Sequence, residues 1–200
     1  MEEMTAIHIG QGWDIEMQVN KRLPLIDDYT NTVLHKTGVF PRFLVKTIFA
    51  LYEGENKKHL EEVKNNLISI SDYLSVAFQI KDDLLNISDS ELSKSKGVIG
   101  EDIFEGKYTL MVIHTLQNHL RNSERLKEIL HMKTKDPELI KEAIEILREN
   151  NSIDFANKIM IENTNKAIES CDLLSKTNSE FYNKEVAKDI RDLILLLVNI

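Results

Sequence analysis

One cysteine, three prolines and seven glycines in 200 residues leave this chain with little that staples or punctuates a fold. The lone Cys171 excludes an internal disulfide and offers no zinc spacing, which agrees with a reducing compartment and makes a cytoplasmic setting the default expectation. Proline and glycine this sparse do not supply the turns of a strand-rich fold. Leu, Ile, Glu, Lys and Asn instead fill long uninterrupted stretches, so the expected class is all-α. No apolar run approaches the roughly twenty residues that span a bilayer. Leu193 to Val198 is far too short, and the acidic start is no signal peptide, so a soluble protein is expected. Excess positive charge is also missing: the formal net charge is −8 and the basic residues are scattered, which excludes a general nucleic-acid binder. A chain of this length suits a single domain, residues 1–200, with a real core.

What is present is helical periodicity. Residues 1–20 read as the end of a helix that carries Gln11 and Asp14 with no cap or turn signal before them. Pro24 opens the next element. Tyr29, Val33, Thr37, Phe40, Leu44, Ile48 and Leu51 then recur at helical spacing until Gly54, which predicts one helix over 25–52. Leu60, Val63, Leu67, Ile70, Leu74, Ala77 and Phe78 predict a long helix over 56–88. Residues 89–106 lack a period and gather Ser, Lys and Gly, so they read as a loop able to fold over a bound ligand. Shorter helices are expected at 108–120, 123–132, 136–150, 152–177 and 179–199, with Pro137 in a first turn.

The chemistry is concentrated in residues 78–109. Asp82 and Asp83 fall near the end of the long amphipathic pattern, and Asn86 lies one turn beyond Asp82, so oxygen donors gather along one helical edge. Hard divalent cations take oxygen ligands, and magnesium typically accepts one or two protein carboxylates while phosphate oxygens and water complete its shell. Lys96 and Lys107 follow with the positive charge that a polyphosphate ester requires. The pattern reads as a metal-bridged diphosphate site with Asp82, Asp83 and Asn86 as metal ligands.

The string Phe78-Gln-Ile-Lys-Asp-Asp-Leu-Leu-Asn86, with Lys96-Gly-Val-Ile-Gly-Glu-Asp-Ile-Phe-Glu-Gly-Lys107, resembles the second aspartate-rich region of the trans-isoprenyl diphosphate synthases. This is the polyprenyl synthetase family, and the likeness is to its geranylgeranyl diphosphate synthases in particular. Gly10-Gln11-Gly12-Trp13-Asp14-Ile15 resembles the family's Gly-Gln-x-x-Asp string, and Lys36-Thr37-Gly38-Val39-Phe40 resembles its Lys-Thr-Gly string. The clear match runs from about Gly10 to His114. The resemblance implies an isoprenoid synthase-type helical bundle, with allylic and isopentenyl diphosphates as substrates and Mg2+ as cofactor. It implies that Lys36, Lys96 and Lys107 hold a diphosphate with help from Thr37 and Gln79, and that Gln11, Asp14, Phe40 and Phe78 belong to the cavity. Met111 stands where many of these synthases have proline.

Bland readings stand beside these. An arbitrary Asp-Asp pair is usually a solvated helix end, and a lone lysine is usually a surface charge. Asp27-Asp28 mimics an aspartate-rich motif but sits just after Pro24, where acidic side chains suit the positive end of a helix dipole. The six histidines show no ligand spacing and read as structural or exposed. The family's first aspartate-rich motif is not in this sequence, so an N-terminally truncated fold is expected. Three readings follow: a prenyltransferase subunit completed by a homo-oligomer or a complementary synthase chain, a catalytically inactive binding or regulatory subunit, or a fragment of a longer synthase. A class I terpene cyclase is disfavoured by the Lys-Thr-Gly and Glu-Gly-Lys pairing. Dimers are usual in the family, and an exposed apolar helix face would serve for pairing. The product chain length is not legible in these residues.

Overall fold

The computed structural model describes residues 2–52, 57–88, 99–176 and 184–198. Among the described residues there are ten helices and no strand, as the composition predicts. In chain order they are α1 (Glu2–Val19), α2 (Ile26–Lys36), α3 (Val39–Leu51), α4 (Lys57–Asn86) and α5 (Glu101–Glu105), then α6 (Leu110–Gln117), α7 (Ser123–Met132), α8 (Pro137–Glu149), α9 (Ser152–Lys176) and α10 (Lys184–Val198).

The thirty-residue α4 is the spine, about 45 Å long at 1.5 Å per residue, and it packs mainly along α9. Ala77 and Ile80 of α4 and Ala156, Ala167 and Leu174 of α9 belong to one core that also takes Leu110 to Ile113 of α6, Leu126, Ile129 and Leu130 of α7, and Leu147 of α8. α1 and α3 lie on the other flank against α2 and α4. A half-buried ion network ties that flank together. Glu3 accepts from Lys46 at 2.6 Å and from Arg42 at 3.3 Å, and Arg42 reaches Asp72 of α4 at 2.5 Å.

The single helix expected over 25–52 is two helices, broken at Thr37-Gly38. In a continuous helix the Leu34 carbonyl would accept from the Gly38 N–H. The Arg42 guanidinium takes that carbonyl instead, at 2.6 Å, and the N–H groups of Thr37 and Gly38 both turn to Val33 O, at 2.8 and 3.1 Å. A side chain inserted into the ladder is a recognised cause of a sharp helix break. Glycine is needed there because a Cβ at position 38 would lie 2.6 Å from Arg42 Nη1 and 2.8 Å from Leu34 O. The break leaves Lys36 and Thr37 at the end of α2, above α4.

The expected loop over 89–106 is also corrected in part. Residues 101–105 form the short helix α5, bounded by Gly100 and Gly106 at φ of 76° and 77°, a left-handed conformation that glycine adopts without steric cost. Residues 89–98, and Lys96 with them, lie outside the described residues. Asp27 and Asp28 do open a helix, and Asp28 Oδ2 accepts from the Leu25 N–H at 3.0 Å, a first-turn cap in place of a metal motif. No helix among the described residues is long and apolar enough to cross a membrane.

Candidate diphosphate and metal site

A cavity of about 130 Å³ opens where α1, α2 and α4 meet the segment after α5. Each helix contributes residues at helical spacing: Asp14, Met17 and Gln18 from α1, Tyr29, Thr32, Val33 and Lys36 from α2, and Gln79, Asp82 and Asp83 from α4. Asp102 of α5, with Lys107, Tyr108 and Thr109, closes the fourth side.

Four hydrogen-bonding groups fix the wall between α2 and α4. The Tyr29 hydroxyl donates to Asp83 Oδ2 at 2.8 Å, Gln79 Nε2 donates to Asp83 Oδ1 at 2.9 Å, and the Thr37 hydroxyl donates to Gln79 Oε1 at 3.1 Å. Asp83 is therefore the buried anchor of the aspartate pair, and Asp82 is the exposed member that faces the cavity. Burial raises the Asp83 carboxyl to about 7, aided by the charges of Asp102 and Asp82 and opposed by the hydrogen bonds from Gln79 and Tyr29. Burial and the neighbouring Asp83 charge push the Tyr29 hydroxyl well above its ordinary range, which keeps it a donor.

Each described lysine of the site carries its own carboxylate. Lys36 Nζ donates to Asp14 Oδ2. Lys107 Nζ donates to Asp102 Oδ1 at 2.8 Å and lies 2.7 Å from Glu105 Oε2. Burial opposes the Lys107 charge, but these two hydrogen bonds outweigh it and hold the ammonium above its usual range. Asp102 approaches Lys107 because the chain turns through left-handed Gly106, with the Lys107 N–H closing on Asp102 O at 2.9 Å.

Of the site residues read from the sequence, Asp14, Lys36, Thr37, Gln79, Asp82, Asp83 and Lys107 converge on this cavity. Asn86 does not line it. Its side-chain oxygen accepts from the Asp102 N–H at 3.2 Å, so in this structure it caps α5. Gln11, Phe40 and Phe78 are exposed and are not among the walls, because no described element packs over those faces of α1, α3 and α4. Sequence reading missed Asp102, Thr32 and the role of Tyr29. The signal for the last two was their position three or four residues apart on the same helical face as Lys36. Of the described histidines, His8 and His119 are exposed, whereas His114 meets Ser152 at 2.9 Å and stacks on Phe155, and His131 meets the Tyr108 hydroxyl at 3.1 Å.

The polyprenyl synthetase family profile matches residues 1–147. The chain belongs to the polyprenyl synthetase family. Relatives include a geranylgeranyl pyrophosphate synthase of Penicillium shearii, 32% identical over 83% of this chain and 40% of its own length, and one of Aspergillus fumigatus, 30% identical over 98% and 50%. The geranylgeranyl pyrophosphate synthetase of Pyrococcus horikoshii superposes with a TM-score of 0.79 at 26% identity, over the whole of this chain and 56% of that one. A geranylgeranyl pyrophosphate synthase of Corynebacterium glutamicum, solved with isoprenyl diphosphate and magnesium, shares the fold with a TM-score of 0.80 at 18% identity, over 98% and 52%. The chain thus spans about half or less of the length of these relatives, and its all-α fold is the corresponding part of theirs.

Proposed function

We propose that the chain provides the second half of a magnesium-dependent prenyltransferase site, which joins an allylic diphosphate to isopentenyl diphosphate as in geranylgeranyl diphosphate synthesis. In that reaction the allylic C–O bond breaks with its electron pair going to diphosphate. The isopentenyl double bond then forms the new C–C bond, and a proton leaves the adjacent carbon.

The observation that carries the reading is the charge of the cavity. Four carboxylates, Asp14, Asp82, Asp83 and Asp102, face two ammonium groups, Lys36 and Lys107. A diphosphate alone would meet a net negative wall. A divalent cation bound with it removes the conflict, and oxygen donors are what magnesium takes. Asp82 and Asp102 are the carboxylates placed to hold it, with Asp83 fixing the wall behind them. Bound there, the ion would stabilise the charge that develops on the departing diphosphate. Lys36, Lys107 and Lys96 would hold the same oxygens, and Thr37 and Gln79 would orient the leaving end.

A complementary chain carrying the first aspartate-rich motif, or a second copy, would complete the site. Such a partner would cover the apolar faces of α1 and α3, where Phe40 is 68% and Leu51 is 76% exposed. A cytoplasmic setting belongs to the same proposal and suits Cys171, a buried thiol that is in no disulfide.

Calorimetry tests the site. Magnesium and pyrophosphate are expected to bind together more tightly than either alone, and Asp82→Ala is expected to abolish that enhancement. Enhancement that persists in the variant removes Asp82 from the metal site. No binding by the unaltered chain favours a structural or regulatory subunit.

A further inference from the structure

Among the described residues, one buried side-chain polar atom has no hydrogen-bond partner, Thr32 Oγ1, and its residue lines this cavity. Thr32 is 7% exposed and sits in the middle of α2. Other threonines inside helices satisfy themselves by donating to the carbonyl one turn back. Thr30 donates to Ile26 O at 3.0 Å, Thr115 to Met111 O at 3.1 Å and Thr164 to Met160 O at 2.9 Å. Thr32 makes no such bond to Asp28 O. A buried hydroxyl left unpaired costs about 1–3 kcal/mol, and a valine of the same shape would avoid that cost. The hydroxyl therefore stands where a polar atom from outside the protein is expected to meet it.

Its neighbours identify that atom. Thr32 shares its helical face with Tyr29, three residues before, and Lys36, four residues after. Tyr29 is committed to Asp83, and Lys36 offers positive charge. A donor beside an ammonium group suits an anionic oxygen. We infer that Thr32 is a diphosphate-binding residue whose hydroxyl donates to a phosphate oxygen of the bound ligand. This rests on the diphosphate site proposed above and assigns to it a group outside the sequence motifs.

The test compares Thr32→Val and Thr32→Ser with the unaltered chain in two measurements: the thermal midpoint without ligand, and the affinity for pyrophosphate in magnesium chloride. Valine is expected to leave the midpoint unchanged or raise it, and to weaken pyrophosphate binding about tenfold or more. Serine is expected to keep the affinity within about threefold. If the unaltered chain binds and Thr32→Val binds equally well, the inference fails while the site reading stands. If the unaltered chain does not bind pyrophosphate at all, both fail together. A midpoint that falls on Thr32→Val shows that the hydroxyl is already satisfied in the free protein, and that also overturns the inference.

Discussion

Replacing Asp83 with asparagine isolates the energetic consequence of burying one carboxyl in the wall. The side chain is 4% exposed and accepts from Tyr29 and Gln79. Burial raises its pKa from 3.8 to about 7, with the charges of Asp102 and Asp82 adding to the rise. The folded protein therefore holds this proton more tightly than the unfolded chain does. The stabilisation is fully present below the unfolded pKa of 3.8 and is lost as pH climbs through the folded value of about 7. A gap of about three pKa units corresponds to about 4 kcal/mol at 1.36 kcal/mol per unit. Asparagine keeps the wall's geometry without the titration, because its oxygen can accept from Gln79 and its amide can donate to the Tyr29 oxygen. Urea denaturation from about pH 4 to about pH 8, with a chelator present, should show the stability of the unaltered chain falling relative to the variant by about 1.4 kcal/mol per pH unit. The decline should level off above about pH 7. A constant difference over that range, or one that grows with pH in favour of aspartate, refutes the reasoning.

Two further outcomes are expected. Gly38→Ala forces a Cβ to within 2.6 Å of Arg42 Nη1 and 2.8 Å of Leu34 O, so it should destabilise by about 1–3 kcal/mol, read as a lower urea midpoint with unchanged slope. In radiolabelled isopentenyl diphosphate incorporation, the chain alone should elongate an allylic diphosphate poorly, and a complementary chain with the first aspartate-rich motif should restore turnover; robust turnover without it means that an unassigned acidic pair completes the site.

The long elements were legible because burial imposes a period. α4 and α6 to α10 lie close to the positions that their apolar spacing predicts, and α7 matches residue for residue. The break between α2 and α3 was not legible, because Val33, Thr37, Phe40 and Leu44 keep the period straight across it. A lone glycine costs a helix only about 1 kcal/mol. What decides the break is the capture of Leu34 O by Arg42, a contact made by the folded turn itself and invisible in spacing. α5 escaped for a related reason: five residues between two glycines are too few to show periodicity. In the Asp82-Asp83 pair, sequence gives two adjacent carboxylates on neighbouring helical positions. Which one turns inward depends on Tyr29, 54 residues away in the chain.

The pairing of each described lysine with an aspartate bears on how ligands would enter the proposed site. Lys36 lies against Asp14, and Lys107 lies between Asp102 and Glu105. A diphosphate that enters without a cation must draw the ammonium groups from these carboxylates while adding negative charge beside them. A cation that enters without the anion meets Asp102 already occupied by Lys107. If both arrived, the exchange would balance: Asp102 would be released by Lys107 and could hold the cation, and Lys107 could hold a phosphate oxygen. Each ligand would then remove the obstacle to the other, and by linkage such an enhancement would be equal in both directions. In this reading the lysine-aspartate pairs serve as the source of cooperativity, and a site that lacked them would bind the two ligands more nearly independently.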